Sequence, residues 1–348
     1  MADTKTFGGE LLMTPGYAEN RWQEVLGLYG DPNNPDPLLI SKFELQAGSV
    51  PGYNNLCDMD RLLQTASHIA AALDYNGHSV PAIALGVKHG NACGASIHDD
   101  PEIATQQMVD GDPIAIFGGS TMFNFGVTEQ VADELIHHGM EKGRRLIDTV
   151  YAPGMDEGVP EHIARKDGKW RIMTNAALQK IGAKSLDTAK RFRFMRGGEA
   201  LIQSNYTFIP DFRADERLQQ GEALNATLER YLLLAWAIGS TSNSNTITLV
   251  KNGMLIGNGV GQQDRVSAAR LAVEKARQSG HDTEGAVAYS DSFFPFTDGP
   301  QVLVDAGVQA IFTSSGSRND DEVFETFENG GVRVVSLPDA EMRGFFVH

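Results

Sequence analysis

The sequence has few cysteines and no long apolar run. Its 348 residues include 2 cysteines, Cys57 and Cys93, which form neither a C-x-x-C pair nor a disulfide framework. This scarcity is typical of reducing compartments, and we expect a cytoplasmic protein. No apolar run approaches the roughly 18 residues of a membrane-spanning helix, and the N-terminus lacks the apolar segment of a signal peptide. We therefore expect no membrane partner.

Metal-binding and hydrolase signatures are missing as well. The chain has no H-x-E, C-x-x-C or H-E-x-x-H spacing, so we expect no zinc chemistry of the deaminase or metalloprotease kind. It also lacks the G-x-S-x-G nucleophile elbow. The 29 basic and 45 acidic side chains give a formal net charge of −16. Because phosphate binding needs a basic surface, this charge argues against nucleic acid as a partner.

Apolar strands alternate with amphipathic helices along the chain, which predicts an α/β fold with mixed sheets flanked by helices. The length corresponds to about two domains. The polar and basic stretch 176–198 predicts the junction, giving subdomains 1–195 and 196–348; no internal repeat is evident. We predict helices at 58–73, 128–142, 221–239, 265–277, 298–306 and 319–329, and strands at 80–87, 112–117, 146–151, 246–251, 254–257, 286–289, 308–313 and 332–337. Asn252-Gly253 predicts a hairpin turn between two of these strands.

A glycine string, Gly257 to Gln262, lies between a predicted strand and a predicted helix. It lacks the last glycine of a dinucleotide-binding loop and the G-K-[ST] of a P-loop. A glycine-rich loop before a helix still presents free N–H donors, and Arg265 at the helix start adds a bidentate cation. The string therefore indicates either an anion site or a plain tight turn.

Two further segments carry residues suited to chemistry. Lys88 and His89 directly follow an apolar strand, where α/β sheets place ligands, and this pair supplies a proton acceptor beside a cation. The alternative is an ordinary surface pair. The segment 290–298 contains Phe293, Phe294 and Phe296 between two carboxylates. It indicates either a slot for a planar ligand or core phenylalanines with Asp298 capping a helix.

Nine segments, in order along nearly the whole chain, resemble the AICAR transformylase domain of the bifunctional AICAR transformylase/IMP cyclohydrolase family. They are GSVPGYNNLCDMD (48–60), VKHGNACGAS (87–96), IFGGSTMFN (116–124), APGMDE (152–157), RGGEALIQ (196–203), SNSNTITLVKNGMLIGNGVGQQDRVSAARLA (242–272), SDSFFPFTDG (290–299), SSGSRNDDEV (314–323) and MRGFFVH (342–348). The family's cyclohydrolase domain has no counterpart in the chain, so we expect a monofunctional transformylase.

The resemblance implies two cytidine-deaminase-like subdomains without zinc. It implies formyl transfer from the co-substrate 10-formyltetrahydrofolate to the 5-amino group of AICAR in purine synthesis. It also implies a homodimer with active sites at the subunit interface. Such a reaction needs a base for the amine proton and donors for the tetrahedral oxyanion.

The resemblance assigns these roles to particular residues. His89 becomes the general base or proton shuttle, Lys88 the electrostatic stabiliser or leaving-group acid, and Asn245 the amide that orients the formyl group. The implied binding residues are Asn55 and Asp148 for the nucleotide, Arg265 and Arg343 for its phosphate, Phe293 and Phe296 for the base or folate slot, Asp298 for the pterin, and Ser242 and Ser244 for a structural potassium ion.

The sequence departs from the family at Gly16, where a phosphate-binding arginine is usual; Arg21 is the nearest replacement. The loss of one charged hydrogen bond, worth about 1.5–3 kcal/mol, would weaken the binding of a ribotide. Ala92 also replaces a usual proline. Two alternatives therefore stay open. One is a paralogous folate-dependent formyltransferase with a different amine acceptor, natural-product or nucleoside-like. The other is a non-catalytic nucleotide- or folate-binding protein.

Overall fold

A computed structural model describes residues 8–20, 22–166, 168–213 and 218–345. The strands are β1 (Glu10–Met13), β2 (Leu28–Gly30), β3 (Glu44–Gly48), β4 (Ala82–Lys88), β5 (Asn91–His98), β6 (Ser120–Phe123), β7 (Thr149–Ala152), β8 (Arg171–Thr174), β9 (Lys190–Phe194), β10 (Ala200–Ser204), β11 (Leu218–Gln220), β12 (Ile247–Lys251), β13 (Met254–Gly259), β14 (Val287–Ser290), β15 (Ala310–Ser315) and β16 (Arg333–Pro338).

The helices are α1 (Tyr53–Tyr75), α2 (Pro101–Gly111), α3 (Glu129–His137), α4 (Val159–Ile163), α5 (Ala226–Ser240), α6 (Arg265–Gln278), α7 (Asp298–Asp305), α8 (Asp320–Asn329) and α9 (Asp339–Met342). Single 3-10 turns occur at Ile40–Lys42, Ala176–Lys180 and Arg196–Gly198. Although α1 is long and mostly buried, no helix in the described ranges combines the length and apolarity needed to cross a lipid bilayer.

Most strands join one mixed sheet of 12 strands, in the order β11-β16-β15-β14-β12-β13-β5-β4-β6-β7-β8-β3. The pairs within β6-β7-β8 and within β14-β15-β16 are parallel, and the remaining neighbours are antiparallel. The hairpins β1-β2 and β9-β10 stand apart from this sheet. The predicted α/β class, with a mixed sheet between helices, is confirmed.

The two halves of the sheet have the same topology. Each half begins with a long helix, α1 or α5, and continues β-β-α-β-α-β-α-β to β8 or β16. The strand order β5-β4-β6-β7-β8 in one half matches β13-β12-β14-β15-β16 in the other. The inner strands β5 and β13 pair antiparallel where Ser96 faces Met254. The two halves therefore repeat the same order of helices and strands. The predicted subdomain boundary at 195/196 stays a prediction.

Helices cover both faces of the sheet. Helices α1 and α5 pack against each other, and their apolar side chains share one core with the inward face of both halves. The opposite face carries two separate cores, under α2, α3 and α4 in the first half and under α6, α7 and α8 in the second. The central pair of helices therefore holds the two halves together.

The prediction of a strand at 112–117 is wrong. These residues form a tight turn, in which the Asp112 carboxylate accepts from Ala115 N (2.8 Å) and its carbonyl accepts from Ile116 N (3.1 Å). An Asp-Pro start favours such a turn, because the side chain competes for backbone donors. Ile116 is buried, whereas Ile114 is 79% exposed, so the apolar run is divided between core and surface. The strand in this part of the chain is β6, which begins only at Ser120.

Other predicted elements exist with shifted ends. The helix predicted at 221–239 begins only at Ala226, where the Asn225 side chain accepts from Leu228 N at 2.9 Å and caps the helix. The helix predicted at 128–142 ends at His137, and the helix predicted at 58–73 begins at Tyr53. The hairpin at Asn252-Gly253 is confirmed. Capping and turn residues, rather than apolar periodicity, set these ends.

The glycine string at 257–261 serves helix packing. Gly257 and Gly259 lie inside β13, and a Cβ on them would stand 2.2 Å from Ala272 O and 2.1 Å from Ala268 O, on the backbone of α6. Only Gly261, with φ of 69°, has the left-handed conformation of a tight turn. The interpretation as an anion-binding loop therefore does not hold for Gly257 and Gly259. These glycines let α6 approach the strand closely.

Replacing Gly259 with alanine is expected to lower the free energy of unfolding by about 1–3 kcal/mol, because the added methyl group meets helix backbone that cannot move aside. The urea-unfolding midpoint measures this loss. Gly154→Ala is the matched control, since a Cβ there meets nothing within 4 Å and its φ is not left-handed. Equal midpoints for the two variants would contradict the packing role.

Candidate active site

Most of the candidate site residues predicted from the sequence lie at strand ends along one edge of the large sheet. Strand β4 runs in the same direction as β13 and β14, because two antiparallel steps separate β4 from β13 and two more separate β13 from β14. The carboxyl ends of β4, β13, β14, β15 and β16 therefore meet the amino ends of β5, β6, β7, β8 and β12. We call this edge the site edge.

Lys88 and His89 lie at the site edge, in the hairpin turn between β4 and β5. Lys88 pairs with Asn91, so His89 and Gly90 form a two-residue loop, and their φ values of 54° and 73° are both positive. Such a loop is typical of a type I′ turn. His89 is exposed, and Lys88 Nζ donates to Phe117 O at 2.7 Å. The turn presents the imidazole to solvent and tethers the ammonium.

The equivalent turn in the second half shows what is unusual about His89. There, Lys251 pairs with Met254 around Asn252 (φ 53°) and Gly253 (φ 76°), at the opposite edge of the sheet. Asn-Gly is the preferred pair for this turn because asparagine tolerates the left-handed region. A histidine in the same conformation is less favourable. The first half therefore places an imidazole where asparagine would be more stable.

Asn55 is a buried residue in the first helical turn of α1, at the site edge. Its Oδ1 accepts from Tyr17 Oη (2.7 Å) and from Gly52 N (3.0 Å), and its Nδ2 lies 3.4 Å from Thr149 Oγ1 at the start of β7. Burial raises the pKa of Tyr17, so its hydroxyl stays protonated and donates. Asn55 thus links the N-terminal segment to the site edge.

Asp148 precedes β7 at the same edge, next to two arginines that the sequence analysis did not single out. Arg165 Nη1 donates to Asp148 Oδ1 at 2.6 Å. The buried Arg171 donates from Nη1 to Thr149 Oγ1 (3.1 Å) and to Asp148 O (3.3 Å). Gly16 precedes Tyr17, the partner of Asn55, and Arg21 lies outside the described residues. The neighbourhood of Gly16 therefore retains cationic side chains.

A second polar group lies at the site edge after β14. Arg265, the first residue of α6, is buried, and its Nη1 donates to the carboxylate of Asp291, which is fully buried. Burial lowers the pKa of Arg265 to about 10. A guanidinium in this position keeps its charge at neutral pH but depends on its carboxylate partner. The predicted phosphate ligand is therefore held rigidly.

Arg343 belongs to a network at the carboxyl ends of β14, β15 and β16. The Asp339 Oδ1 accepts from Ser292 Oγ (2.7 Å) and Ser314 Oγ (2.5 Å), and its Oδ2 lies 3.4 Å from Arg343 Nε. Arg343 Nη2 donates to Ser292 Oγ at 3.1 Å. The half-exposed guanidinium is thus oriented by a partly buried acid, close to the Arg265 group.

Asn245 lies two residues before β12, at the site edge, and is hydrogen-bonded to Gln262 in the turn after β13. Its Nδ2 donates to Gln262 O at 2.9 Å, and the two backbones exchange hydrogen bonds of 3.1 and 3.2 Å. The preceding loop crosses to the first half, because the guanidinium of Arg61 on α1 donates to Thr241 O. This contact fixes Asn245 relative to α1.

Ser242 and Ser244, the predicted potassium ligands, lie in that same loop. Ser242 is buried and its Oγ donates to Ile238 O at 2.7 Å, whereas Ser244 is half-buried. Asp291 N donates to Thr246 O, and Asp291 Oδ2 is a buried oxygen without a hydrogen-bond donor among the described residues. Hydroxyl, carbonyl and carboxylate oxygens fit a hard cation. The residues therefore suit the ion, and the assignment stays a prediction.

The aromatic segment divides between core and surface. Phe294 is buried and packs edge-on against Phe327, with ring centroids 5.8 Å apart. Phe293 is half-buried and Phe296 is 64% exposed. Asp298 is exposed at the start of α7 and accepts only from the adjacent Gly299 N (2.8 Å) in the described structure. Phe294 is thus a core residue, whereas Asp298 is the first residue of α7 and not its cap. The slot for a planar ligand stays a prediction for Phe293 and Phe296.

The polar group around Asp148 and the polar group around Asp291 are far apart within one chain. Asp148 lies at β7 and Asp291 at β14, and the strands between them in the sheet are β12, β13, β5, β4 and β6. At ~4.8 Å per strand, these groups are separated by roughly 30 Å along the edge. A single monocyclic ribonucleotide does not span this distance. The site edge therefore carries two half-sites per chain.

Sequence reasoning missed Asp58, Asp291 and Asp339 at these half-sites. Asp291 and Asp339 directly follow β14 and β16, and polar residues at the carboxyl ends of parallel strands are a recognisable signal. Asp58 follows Asn55 by three residues on α1, a spacing that places both on one helix face.

The family model described as AICARFT/IMPCHase bienzyme matches residues 4–275. The chain belongs to this family. It is 29% identical over 323 residues to the bifunctional purine biosynthesis protein PurH of Rhodopirellula baltica. The aligned region covers 92% of this chain and 56% of that protein. The chain thus spans about half the length of the curated relative that it matches. The family resemblance seen in the sequence is confirmed.

Two solved structures are similar to parts of the chain. One is a diaminohydroxyphosphoribosylaminopyrimidine deaminase/5-amino-6-(5-phosphoribosylamino)uracil reductase from Thermotoga maritima, with 23% identity, coverage of 32% of this chain and 35% of that one, and a TM-score of 0.23. The other is dCMP deaminase from the cyanophage S-TIM5, with 17% identity, coverage of 33% of this chain and 100% of that one, and a TM-score of 0.26.

Replacing His89 with asparagine is expected to raise the free energy of unfolding by about 0.5–1 kcal/mol, because asparagine suits the left-handed turn position better. The reciprocal change, Asn252→His in the equivalent turn, is expected to lower it by a similar amount. Urea unfolding of both variants measures the pair. A destabilised His89→Asn protein, or no effect of Asn252→His, would show that the histidine is not conformationally costly.

Proposed function

We propose that the protein transfers the formyl group of 10-formyltetrahydrofolate to the 5-amino group of AICAR. The observation that carries this proposal is the exposed Lys88–His89 turn, held at the site edge of a chain that belongs to the AICARFT/IMPCHase bienzyme family. The turn supplies an imidazole and an ammonium side by side, as an acyl transfer to a weak amine requires.

The residues support the following steps. The AICAR amine attacks the formyl carbon, and His89 takes the proton that the amine loses. The oxyanion of the tetrahedral intermediate is met by the Asn245 amide and the Lys88 ammonium. Collapse breaks the bond from the formyl carbon to N10 of the folate, and Lys88 donates the proton that N10 accepts. The Lys88 amine then recovers a proton from solvent, and the His89 imidazolium releases to solvent the proton that it took from the AICAR amine, so both residues return to their starting state.

We infer that the enzyme is a homodimer that completes each active site from two chains. Half of the proposed ligands, including Asn55, Lys88 and Asp148, lie around β4 to β7, and the other half, including Arg265 and Arg343, lie around β14 to β16. Asp148 and Asp291, near the outer ends of the two groups, lie roughly 30 Å apart along the site edge, so one substrate does not reach both within a single chain. An isologous dimer brings the first half-site of one chain to the second half-site of its partner.

A second candidate function keeps the chemistry and changes the acceptor. Gly16 supplies no phosphate ligand, and Arg171 is committed to Asp148 O and Thr149. An amine without a phosphate, nucleoside-like or from natural-product synthesis, would then compete with the ribotide. Arg343 favours AICAR, because its half-exposed guanidinium is accessible to an anionic group, whereas Arg265, like Arg171, is already paired within the chain.

Formyl transfer is tested by mixing the protein with 10-formyltetrahydrofolate and AICAR and following tetrahydrofolate release by absorbance. His89→Ala is expected to lower kcat by about 10²–10⁴-fold, the usual contribution of a general base. Lys251→Ala, the equivalent lysine of the other turn, is the control and should keep wild-type activity. Release with the unphosphorylated nucleoside but not with AICAR would favour the second candidate, and binding without any release would indicate a sensor.

A shared site is tested by mixing Lys88→Ala and Arg343→Ala proteins after dissociation and reassociation. Each variant alone is expected to be inactive. In a mixed dimer, one of the two interface sites then has both native residues, so about a quarter of wild-type activity returns. Sites contained within single chains would give no recovery. Arg343 is half-exposed, so its truncation leaves the core intact.

A further inference from the structure

The carboxylate of Asp58 connects α1 to the Lys88–His89 turn. Its Oδ1 accepts from Gly90 N at 2.8 Å, which ties it to the second residue of the type I′ loop. Its Oδ2 lies 3.5 Å from Ser120 Oγ, at the first residue of β6. One carboxylate thus spans the helix, the turn and the neighbouring strand at the site edge.

This contact opposes the intrinsic preference of the turn. His89 has a φ of 54°, in the left-handed region that few non-glycine residues adopt, and the equivalent turn has the preferred Asn252 there. A histidine there persists when its surroundings hold it. Gly90 has no such difficulty, because glycine adopts positive φ freely, and its N–H points at the carboxylate.

Asp58 is also kept in an environment that disfavours its charge. Burial raises the pKa of Asp58 and the charge of Asp148 adds to this, whereas the Gly90 N–H, the charge of His89 and the Ser120 hydroxyl act in the opposite direction. Because the folded-state pKa is raised above the unfolded value, the ionised carboxylate lowers the stability of the folded protein at neutral pH. A carboxylate retained at such a cost is typical of functional sites.

We propose that Asp58 is a positioning residue, which holds the Lys88–His89 turn in place for catalysis through its hydrogen bond to Gly90. The inference rests on the proposed function. Asp58 does not touch the reacting atoms. It fixes the path of the loop that carries the base, and its negative charge faces the imidazole that gains the proton during the reaction. An acid also stabilises the charged imidazole in other enzymes, where it bonds to the ring directly, whereas Asp58 acts through Gly90 and through its charge.

The test compares Asp58→Ala and Asp58→Asn with Asp60→Ala as the matched control. Asp60 lies two residues further along α1 and pairs with Arg191 (3.7 Å), away from the turn. We expect Asp58→Ala to lower kcat by about 10–100-fold, with KM for both substrates changed less than about two-fold, because only the placement of the base suffers. Asp58→Asn keeps an acceptor for Gly90 N–H, so its kcat should lie between those of Asp58→Ala and wild type.

A second readout does not depend on the reaction. Hydrogen–deuterium exchange in the peptide covering 86–95 should be faster in Asp58→Ala than in wild type and close to wild type in Asp58→Asn and Asp60→Ala. Unchanged exchange in Asp58→Ala, or a kcat equal to that of Asp60→Ala, would overturn the proposal. If the wild-type protein transfers no formyl group, the proposed function fails and the exchange result alone decides the role of Asp58. Asp58→Asn removes a destabilising buried charge, so this variant should fold even if the alanine variant does not.

Discussion

The antiparallel join of β5 and β13 is the constraint on which the rest of the structure depends. It turns two halves of like topology into one 12-stranded sheet and sets the relative direction of their strands. Contacts on either side reinforce it, since Ile97 N donates to Gly253 O (2.9 Å) and Asn258 Nδ2 donates to Ala92 O (3.2 Å). Because the join is antiparallel, the carboxyl end of β4 and those of β14 to β16 face the same way.

This geometry accounts for how the candidate site residues are divided along the chain. The first half presents an imidazole and an ammonium from a hairpin turn, while the second presents two arginines, each paired with a carboxylate. The same turn occurs in both halves, with His89 in one and Asn252 in the other. One half therefore has the Asn-Gly pair that this turn prefers, and the other has an imidazole in the position of the asparagine.

Much of the fold and part of the site could be predicted from the sequence. The turn at Asn252-Gly253 and the alternation of strands and helices depend on local chemistry, which single residues report directly. The cap at Asn225 is equally local, but the apolar stripe placed the start of that helix too early. The prediction of a strand at 112–117 was wrong because it rested on the apolar residues of this segment. The Asp112 side chain accepts a backbone hydrogen bond there and forms a turn instead. Gly257 and Gly259 suggested a ligand loop, although their absent side chains make room for α6.

The sequence by itself determined the family, the candidate residues and the order of the elements, because motifs and hydrophobic periodicity are local properties. Only the tertiary structure showed the repeat of the two halves, the single edge that collects Lys88, Asn245 and Arg265, and the distance between their half-sites. It also revealed Asp58 beside the turn. These features arise from strand pairing and helix packing between residues far apart in the chain, and no local pattern encodes which strands become neighbours.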